Sequence, residues 1–161
     1  MTIQVGDRLP AVSLKKLTPD GIKDVPISEL TKGKKVVLFA VPGAFTPTCS
    51  EKHFPGFVDQ AGDLTAKGVD AIVCVAVNDP FVLGAWEKIR NIDGKVNVLS
   101  DGNAEFTRAL GLDFDGSAVG LGTRSKRYAM IVDDGVVKAL MVEDAPAKAE
   151  KSSASAILAA L

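Results

Sequence analysis

The residue with the clearest capacity for chemistry in this sequence is Cys49, one of two cysteines among 161 residues. It follows an apolar run at residues 36–41 and a short loop, PGAFTPT, and it lies where a helix is expected to begin. Ligands of open α/β sheets bind in the crevice at the carboxyl ends of the strands. Unpaired amides at a helix N-terminus also favour a thiolate. A free cysteine is commonly a small buried hydrophobe, but this position favours a reactive thiol.

Three residues near Cys49 in the sequence could assist it. Thr46 lies where a thioredoxin carries the first cysteine of its Cys-x-x-Cys pair, and its hydroxyl can donate and accept hydrogen bonds, although a turn or cap role is equally open. Pro42 fixes the backbone where the chain leaves the strand, which ordinary strand termination would also explain. His53, the only histidine, lies one helical turn after Cys49. A Cys–His nucleophile pair is conceivable, but a packing or hydrogen-bonding role is favoured.

The second cysteine differs from Cys49 in its setting, and the basic residues near position 127 could belong either to the site or to a loop. Cys74 lies in the middle of the apolar run AIVCVAV, where a thiolate is costly, so we expect an inert core residue. Arg127 opens the last long apolar run, and Arg124 and Lys126 precede it. An arginine at a strand entry beside the cleft could stabilise a thiolate and an oxygen-rich ligand. Spacing alone leaves open whether Arg127 does so or is a loop charge.

Composition limits the classes of protein that fit. Hydrophobic residues make up 47% and charged residues 24%, with a net charge of −1, and no long basic block suggests a surface for nucleic acid. The longest apolar run, residues 71–77, is too short to span a bilayer. The first ten residues carry no signal-peptide pattern, and two cysteines in such a chain indicate a reducing compartment. We therefore expect a cytoplasmic protein without nucleic-acid or membrane partners.

Three apolar runs predict strands that are buried on both faces of a sheet. They are residues 36–41, 69–77 and 127–132. Residues 95–101 predict a shorter strand, Asp134-Gly135 predicts a hairpin turn, and the turn of an N-terminal hairpin is expected near residues 19–21.

Helical patterns separate these strands. The first helix is predicted at residues 48–67, with a kink or break at Pro55. A second is predicted at residues 78–91, with Asp79 as its N-cap. Two further helices are expected at residues 103–112, with a cap near Asn103, and at residues 151–161.

The order of elements predicts the fold. A β-α-β half followed by a β-hairpin and a helix is the thioredoxin-type arrangement. We therefore expect an α/β, thioredoxin-like fold, with a central mixed β-sheet flanked by helices and an N-terminal β-hairpin extension. The chain is expected to form one domain over residues 1–161.

The segment PGAFTPTC contains Pro-x-x-x-Thr-x-x-Cys, the active-site motif of peroxiredoxins, at Pro42, Thr46 and Cys49. Together with VNDPFV at residues 77–82 and RSKRYAMIVDDGVVKALMVE at residues 124–143, it resembles the type II, or peroxiredoxin-five-like, subgroup over nearly the whole chain. The resemblance places the catalytic arginine of the family at Arg127, before the aromatic Tyr128, rather than at Arg124.

The resemblance implies a role for each matched residue. Cys49 would be the peroxidatic thiolate that attacks hydrogen peroxide or an organic hydroperoxide and becomes a sulfenic acid, in antioxidant defence. Thr46 and Arg127, with backbone amides near Cys49, would hold the peroxide and stabilise charge on the leaving oxygen. Pro42 would shield the thiolate from water.

The sequence departs from part of the subgroup at one point. Some members carry a resolving cysteine near the C-terminus, but residues 143–161 contain none, and Cys74 matches a buried strand cysteine of the family. The sulfenic acid is therefore expected to react with an external thiol, from glutathione with glutaredoxin or, second, from thioredoxin, with no bound cofactor. The family also suggests a homodimer with Phe45, Phe81 and Trp86 near the interface.

Two other classes of function stay open at this point. One is a non-catalytic thioredoxin-like adaptor in which Cys49 only packs. The other is a Cys–His hydrolase that uses Cys49 and His53, which is disfavoured because the sequence offers no further group to orient the histidine.

Overall fold

Nine strands lie in the part of the chain that the structure describes. The computed structural model describes residues 2–90 and 94–161. In chain order the strands are β1 (Ser13–Thr18), β2 (Gly21–Pro26), β3 (Lys35–Val41), β4 (Ala71–Ala76), β5 (Asn97–Ser100), β6 (Asp113–Asp115), β7 (Thr123–Ser125), β8 (Tyr128–Asp133) and β9 (Val136–Val142).

Helical segments connect the strands. The α-helices are α1 (Ile27–Thr31), α2 (Phe54–Asp59), α3 (Ala61–Ala66), α4 (Pro80–Arg90), α5 (Glu105–Leu110) and α6 (Ala154–Ala160). A π-helical turn at Cys49–His53 precedes α2, and a 3₁₀ turn at Ser117–Val119 lies between β6 and β7.

Seven of the strands form one mixed sheet in the order β2-β1-β5-β4-β3-β8-β9. The neighbours β3, β4 and β5 are parallel, whereas β8 pairs antiparallel with both β3 and β9. The N-terminal hairpin joins the sheet where Lys15 of β1 pairs with Ser100 of β5. The predicted thioredoxin-like α/β fold is confirmed, and the hairpin extends the edge of the central sheet.

Alternate residues of the central strands divide the core between two faces. On one face, Phe39 of β3 and Cys74 of β4 pack with α2, α3, α4 and α6. On the other, Leu38 and Val73 pack with α1 and α5. Period-two alternation sends neighbours to opposite faces, and both faces are apolar because helices cover both.

Several local predictions are confirmed. Asp134 and Gly135 have φ values of +50° and +82°, the positive pair that a type I′ turn requires. Oδ1 of Asp79 accepts the backbone N–H groups of Phe81 and Val82 at 2.9 Å each, so Asp79 is the N-cap of α4 as predicted. The predicted last residue of this helix, Asn91, lies outside the described residues.

Other local predictions need correction. The helix predicted at residues 48–67 is interrupted at Gln60, which has φ −100° and ψ 11°, rather than at Pro55, which begins α2 in its first turn. Proline is tolerated there because it has no N–H that needs an acceptor, and the N–H before it, that of Phe54, donates to Cys49 across the π turn. The N-cap position of α5 is Ala104, next to Asn103 as predicted, but the capping side chain is Asp101, whose oxygens accept the N–H groups of residues 106 and 107 at 3.1 and 2.8 Å.

The structure also contains elements that the sequence patterns did not predict. These are α1 and the small two-stranded sheet of β6 and β7. Across the described ranges, 2–90 and 94–161, none of the helices has the length and apolar character needed to traverse a lipid bilayer.

Candidate active site

Cys49 is positioned by the loop that follows β3. The first helical hydrogen bond after this loop runs from the N–H of Ser50 to the carbonyl of Thr46, at 3.0 Å. The amides of Thr48 and Cys49 come before this bond, at the start of the helical segment, where N–H groups lack helical acceptors. Cys49 itself has no solvent-exposed surface. A buried sulfur at a helix start lies close to backbone dipoles that favour negative charge.

A π-helical turn carries Cys49 and His53. The N–H of Phe54 donates to the carbonyl of Cys49, five residues earlier, and the following residue, Pro55, has no N–H to donate. Such wide turns are frequent at functional sites. The turn directs the side chains of Cys49 and His53 to one guanidinium group, that of Arg127.

Arg127 is the basic residue that contacts Cys49. Its Nη2 donates to the Sγ atom of Cys49 at 2.9 Å, its Nη1 lies 3.0 Å from Nδ1 of His53, and its Nε donates to the carbonyl of Pro146 at 3.0 Å. Three of its five N–H groups thus have partners among the described residues, and the guanidinium also lines a cavity. Arg127 therefore places a permanent positive charge in direct contact with the buried sulfur.

Arg124 has a different place in the structure. Its Nε donates to the carbonyl of Leu121 at 2.9 Å, and its Nη1 donates to the carbonyl of Pro42 at 3.2 Å. A Cβ atom at Gly43 would lie only 2.5 Å from this Nη1, so a larger residue there would make the guanidinium of Arg124 shift. Arg124 therefore braces the loop before Cys49 and does not contact the thiol.

A cavity of about 320 Å³ opens above these groups. Thr46 and Arg127 supply polar groups to its wall, and Pro42 is among the residues that make the rest mainly apolar. The hydroxyl of Thr46 donates to the carbonyl of Gly43 at 2.6 Å, because a carbonyl can only accept. The oxygen of that hydroxyl therefore keeps its lone pairs for a donor in the cavity.

His53 is held as a neutral ring with a defined tautomer. Arg127 can only donate, so Nδ1 of His53 accepts, and Nε2 carries the proton and donates to the carbonyl of Ser152 at 2.8 Å. The ring packs edge-on against Phe39 and Phe57. Burial in this apolar setting and the nearby charge of Arg127 lower the pKa of His53 from 6.5 to about 3.

This geometry argues against the hydrolase alternative. A Cys–His pair needs the imidazole to accept the thiol proton. The lone pair on Nδ1 of His53 accepts from Arg127, and the proton on Nε2 is donated to the carbonyl of Ser152. His53 therefore has no nitrogen available to act as a base toward Cys49.

The shift of His53 predicts a pH dependence of stability. The folded pKa lies below the unfolded value of 6.5, so the unfolded chain binds a proton that the folded chain rejects. This contribution is complete above pH 6.5 and is lost as the pH falls toward 3, with a slope of at most about 1.4 kcal/mol per pH unit. Urea unfolding at pH 7, 6 and 5 should show a steeper loss for the wild type than for His53→Asn. Parallel pH curves for the two proteins would contradict the assignment.

Two features of the loop were not found by sequence reasoning. Oδ1 of Asn78, just after β4, accepts the N–H of Ala44 at 2.9 Å, and the hydroxyl of Ser100 donates to the Asn78 carbonyl. Phe45 adopts a φ of +65°, which is uncommon for a residue with a side chain. Asn78 thus ties the strained loop to the ends of two central strands. The position of Asn78 just after a buried strand was the sequence signal that could have identified it.

Cys74 lies in the core, as predicted. It is fully buried among apolar side chains in the middle of β4, opposite Phe39 of β3. Burial raises the pKa of the Cys74 thiol well above its ordinary value. This sulfur is therefore a poor nucleophile at neutral pH.

The aromatic residues expected near a dimer interface differ in exposure. Phe45 and Phe81 are 50% and 65% exposed. Trp86 is fully buried: it packs on Phe54 with 4.6 Å between ring centroids, and its Nε1 donates to the hydroxyl of Ser50 at 3.0 Å. Trp86 therefore cannot contact a partner chain directly, and it supports the turn that carries Cys49.

The assembled chemistry is that of a buried sulfur that accepts a hydrogen bond from a buried guanidinium. Nowhere in the described part of the chain do three or more His, Cys, Asp or Glu residues come together in a way that could hold a metal ion. The site combines a sulfur, a guanidinium and a hydroxyl beside a mainly apolar cavity. This arrangement suits a small ligand that carries adjacent oxygens.

Comparisons with known proteins give consistent results. The profile of the Redoxin family matches residues 4–158. "Peroxiredoxin-2E-2, chloroplastic" of Oryza sativa subsp. japonica is 57% identical over 165 residues, which cover 99% of this chain and 73% of the relative. "Peroxiredoxin-2E, chloroplastic" of Arabidopsis thaliana is 54% identical, with 99% and 70% covered. The structure resembles reduced Prx3 of Vibrio vulnificus in complex with hydrogen peroxide, with a TM-score of 0.93, 53% identity, and 99% and 96% of the two chains covered.

These comparisons correct one prediction, the cytoplasmic location. Both plant relatives are named chloroplastic, which contradicts the cytoplasmic location. The prediction relied on the absence of an apolar leader in the first ten residues. That pattern marks only the secretory route, because transit peptides to plastids lack such a leader.

Proposed function

Because the chain belongs to the peroxiredoxins of the redoxin family, we propose that Cys49 is its peroxidatic cysteine and that hydrogen peroxide and organic hydroperoxides react in the cavity beside Arg127. The observation that carries this proposal is the 2.9 Å contact between Nη2 of Arg127 and Sγ of Cys49. It joins a buried sulfur to a permanent cation, and Arg127 also lines the cavity. The proposed role in the cell is antioxidant defence.

The proposed reaction begins with attack by the Cys49 thiolate on the nearer oxygen of the hydroperoxide. A sulfur–oxygen bond forms and the oxygen–oxygen bond breaks, so sulfur loses two electrons and the peroxide gains them. The leaving oxygen departs as water or an alcohol after it takes up a proton, and Cys49 becomes a sulfenic acid. Negative charge moves from sulfur to the leaving oxygen during this step. Donors already in place along that path lower the barrier.

Each residue of the motif has a proposed part in this step. Arg127 donates to the sulfur and, through its remaining N–H groups, to the peroxide oxygens. Thr46 accepts the peroxide O–H, because its own proton is engaged with Gly43. Pro42 is buried and lines the cavity, and we assign it the exclusion of water from the thiolate.

We propose that an external thiol completes the cycle, with glutathione and glutaredoxin first and thioredoxin second. One thiol attacks the sulfenic sulfur and releases water, and a second thiol cleaves the mixed disulfide and restores Cys49. What supports this one-cysteine scheme is the placement of Cys74. It is the only other cysteine in the sequence, and it is fully buried in the core.

The scheme predicts a glutathione adduct and no internal disulfide. Treatment with one equivalent of peroxide, followed by glutathione, should add one glutathione mass to the peptide that contains Cys49. Glutaredoxin should then remove the adduct and restore activity. The matched control is Cys74→Ser, which should give the same adduct at the same rate. A Cys49–Cys74 bridge that forms faster than the adduct would overturn the scheme.

We also propose a homodimer. Phe45 of the active-site loop and Phe81 of α4 present aromatic surface to solvent, and exposed aromatic side chains are typical of interfaces. Trp86 would lie beneath this surface and not in the contact itself.

A further inference from the structure

Arg127 and three other residues form a closed ring of hydrogen bonds. Nη1 of Arg127 donates to Nδ1 of His53 at 3.0 Å, and Nε2 of His53 donates to the carbonyl of Ser152 at 2.8 Å. The N–H and hydroxyl of Ser152 both lie 2.6 Å from Oε2 of Glu143. The N–H of Glu143 donates to the carbonyl of Arg127 at 2.9 Å and closes the ring.

The ring is buried and draws on separate parts of the fold. Each of its four residues is 7% exposed or less. Arg127 and Glu143 are neighbours at the adjacent ends of β8 and β9, just beyond the pair Tyr128–Val142. His53 comes from the π turn, and Ser152 comes from the segment before α6. Buried polar groups that are all satisfied hold a unique geometry, because breaking any one bond leaves an unpaired group.

The direction of each bond is fixed by the chemistry of the groups. Arg127 can only donate, and the carbonyl of Ser152 can only accept, so His53 must present a lone pair to one and a proton to the other. Burial raises the pKa of Glu143, but hydrogen bonds from Ser152 and from the N–H of Lys151 outweigh it and keep that pKa below its usual value. Glu143 is therefore a carboxylate that anchors the ring at neutral pH.

We propose that His53, Ser152 and Glu143 are positioning residues for the peroxidase reaction, which orient the Arg127 guanidinium toward Cys49 and the bound peroxide. This inference rests on the function proposed above for Cys49. The three residues do not touch the reacting atoms. They fix the rotation of the planar guanidinium of Arg127, whose Nη1 donates to His53 and whose Nη2 donates to Cys49. A misplacement of about 1 Å at such a group can lower a rate about 10²-fold.

A matched pair of His53 variants separates positioning from packing. In His53→Asn the side-chain oxygen can replace Nδ1 as the acceptor for Arg127. In His53→Gln the terminal amide can replace Nε2 as the donor to Ser152, but the lone pair toward Arg127 is displaced. The rate of Cys49 oxidation by hydrogen peroxide should therefore fall by about 10–10²-fold in His53→Gln, and by clearly less in His53→Asn.

Alkylation of Cys49 by iodoacetamide distinguishes positioning from a purely structural role. A structural defect should change the alkylation rate and the oxidation rate together, whereas a loss of positioning should lower mainly the oxidation rate. Alkylation needs the thiolate and access, but it does not need donors aligned on two peroxide oxygens. Peptide mass spectrometry of the full-length protein should show that His53→Gln lowers the ratio of the oxidation rate to the alkylation rate at least about tenfold. A ratio unchanged from the wild type would overturn the proposal.

The far side of the ring provides a second test that leaves His53 intact. Ser152→Ala removes one donor to Glu143, and Glu143→Gln removes the charge. Both variants should lower the ratio of the oxidation rate to the alkylation rate of Cys49. The control variants Ser155→Ala and Glu150→Gln, which change exposed residues, should leave this ratio unchanged. Equal ratios in ring and control variants would overturn the extension of the ring to Ser152 and Glu143. If the wild-type protein does not reduce peroxide at all, the proposed function fails instead, so the two failures are distinguishable.

Discussion

Replacing Cys49 with serine is expected to abolish peroxide reduction, while Cys74→Ser retains nearly all of it. The hydroxyl of serine is not ionised at neutral pH and cannot take up the oxygen in the reaction that a thiolate performs. Cys49 contacts the Arg127 guanidinium at 2.9 Å. Cys74 is fully buried among apolar side chains, and burial raises the pKa of its thiol.

The measurement is peroxide consumption under steady supply of glutathione and glutaredoxin, and separately of thioredoxin and its reductase. The melting temperatures of both variants report whether the fold is kept. A folded Cys74→Ser protein without activity would contradict the one-cysteine scheme. A wild-type Cys49 that fails to react with stoichiometric peroxide would favour the non-catalytic adaptor that the sequence left open.

Arg127→Gln and Thr46→Val are expected to slow the oxidation of Cys49 by about 10²–10³-fold each, because the loss of one preorganised hydrogen-bonding group at a transition state has effects of this size. Glutamine keeps polar atoms, but it lacks the positive charge and the guanidinium that contacts Cys49, His53 and Pro146. Valine matches the shape of threonine without the hydroxyl that faces the cavity.

Arg124→Gln is the matched control for Arg127→Gln. Arg124 holds the carbonyl of Pro42 at 3.2 Å and does not contact the sulfur, so its loss should have a much smaller effect on the oxidation rate. Stopped-flow mixing with hydrogen peroxide, followed by the fluorescence of Trp86, gives the rate constants. Equal losses in the two arginine variants would show that Arg127 has no special role.

Local sequence was sufficient wherever a structural feature depends on neighbours in the chain. Continuous β-branched runs predicted β3, β4 and β8, because strands covered on both faces need apolar residues at every position. Asp79 before Pro80 predicted the start of α4, and Asp134-Gly135 predicted the turn between β8 and β9. For the helix start and the turn, the determining contacts span four residues or fewer.

Local sequence failed where the partner of a group comes from an irregular loop. Asp101 caps α5 from five and six residues away, because Ala104 adopts a φ of +59° and turns the chain back. The break at Gln60 and the π turn at Cys49–His53 likewise depend on how the segment packs under the sheet. A pattern of residue types does not contain these dihedral angles.

The sequence by itself determined which residue we propose to carry the chemistry, because the spacing of Pro42, Thr46 and Cys49 after a buried strand singled out one of two cysteines. It could not decide between Arg124 and Arg127 from spacing, and it gave no sign of Ser152 or Glu143. The resemblance already favoured Arg127, but only the tertiary structure shows its contact with Cys49 and the contact of Ser152 with Glu143. Pairing of β3 with β8 sets Ala40 opposite Tyr128, so Arg127 comes next to the strand end from which the Cys49 loop departs. His53 and Ser152 are 99 residues apart, and only the folding of α6 against the sheet brings them into contact.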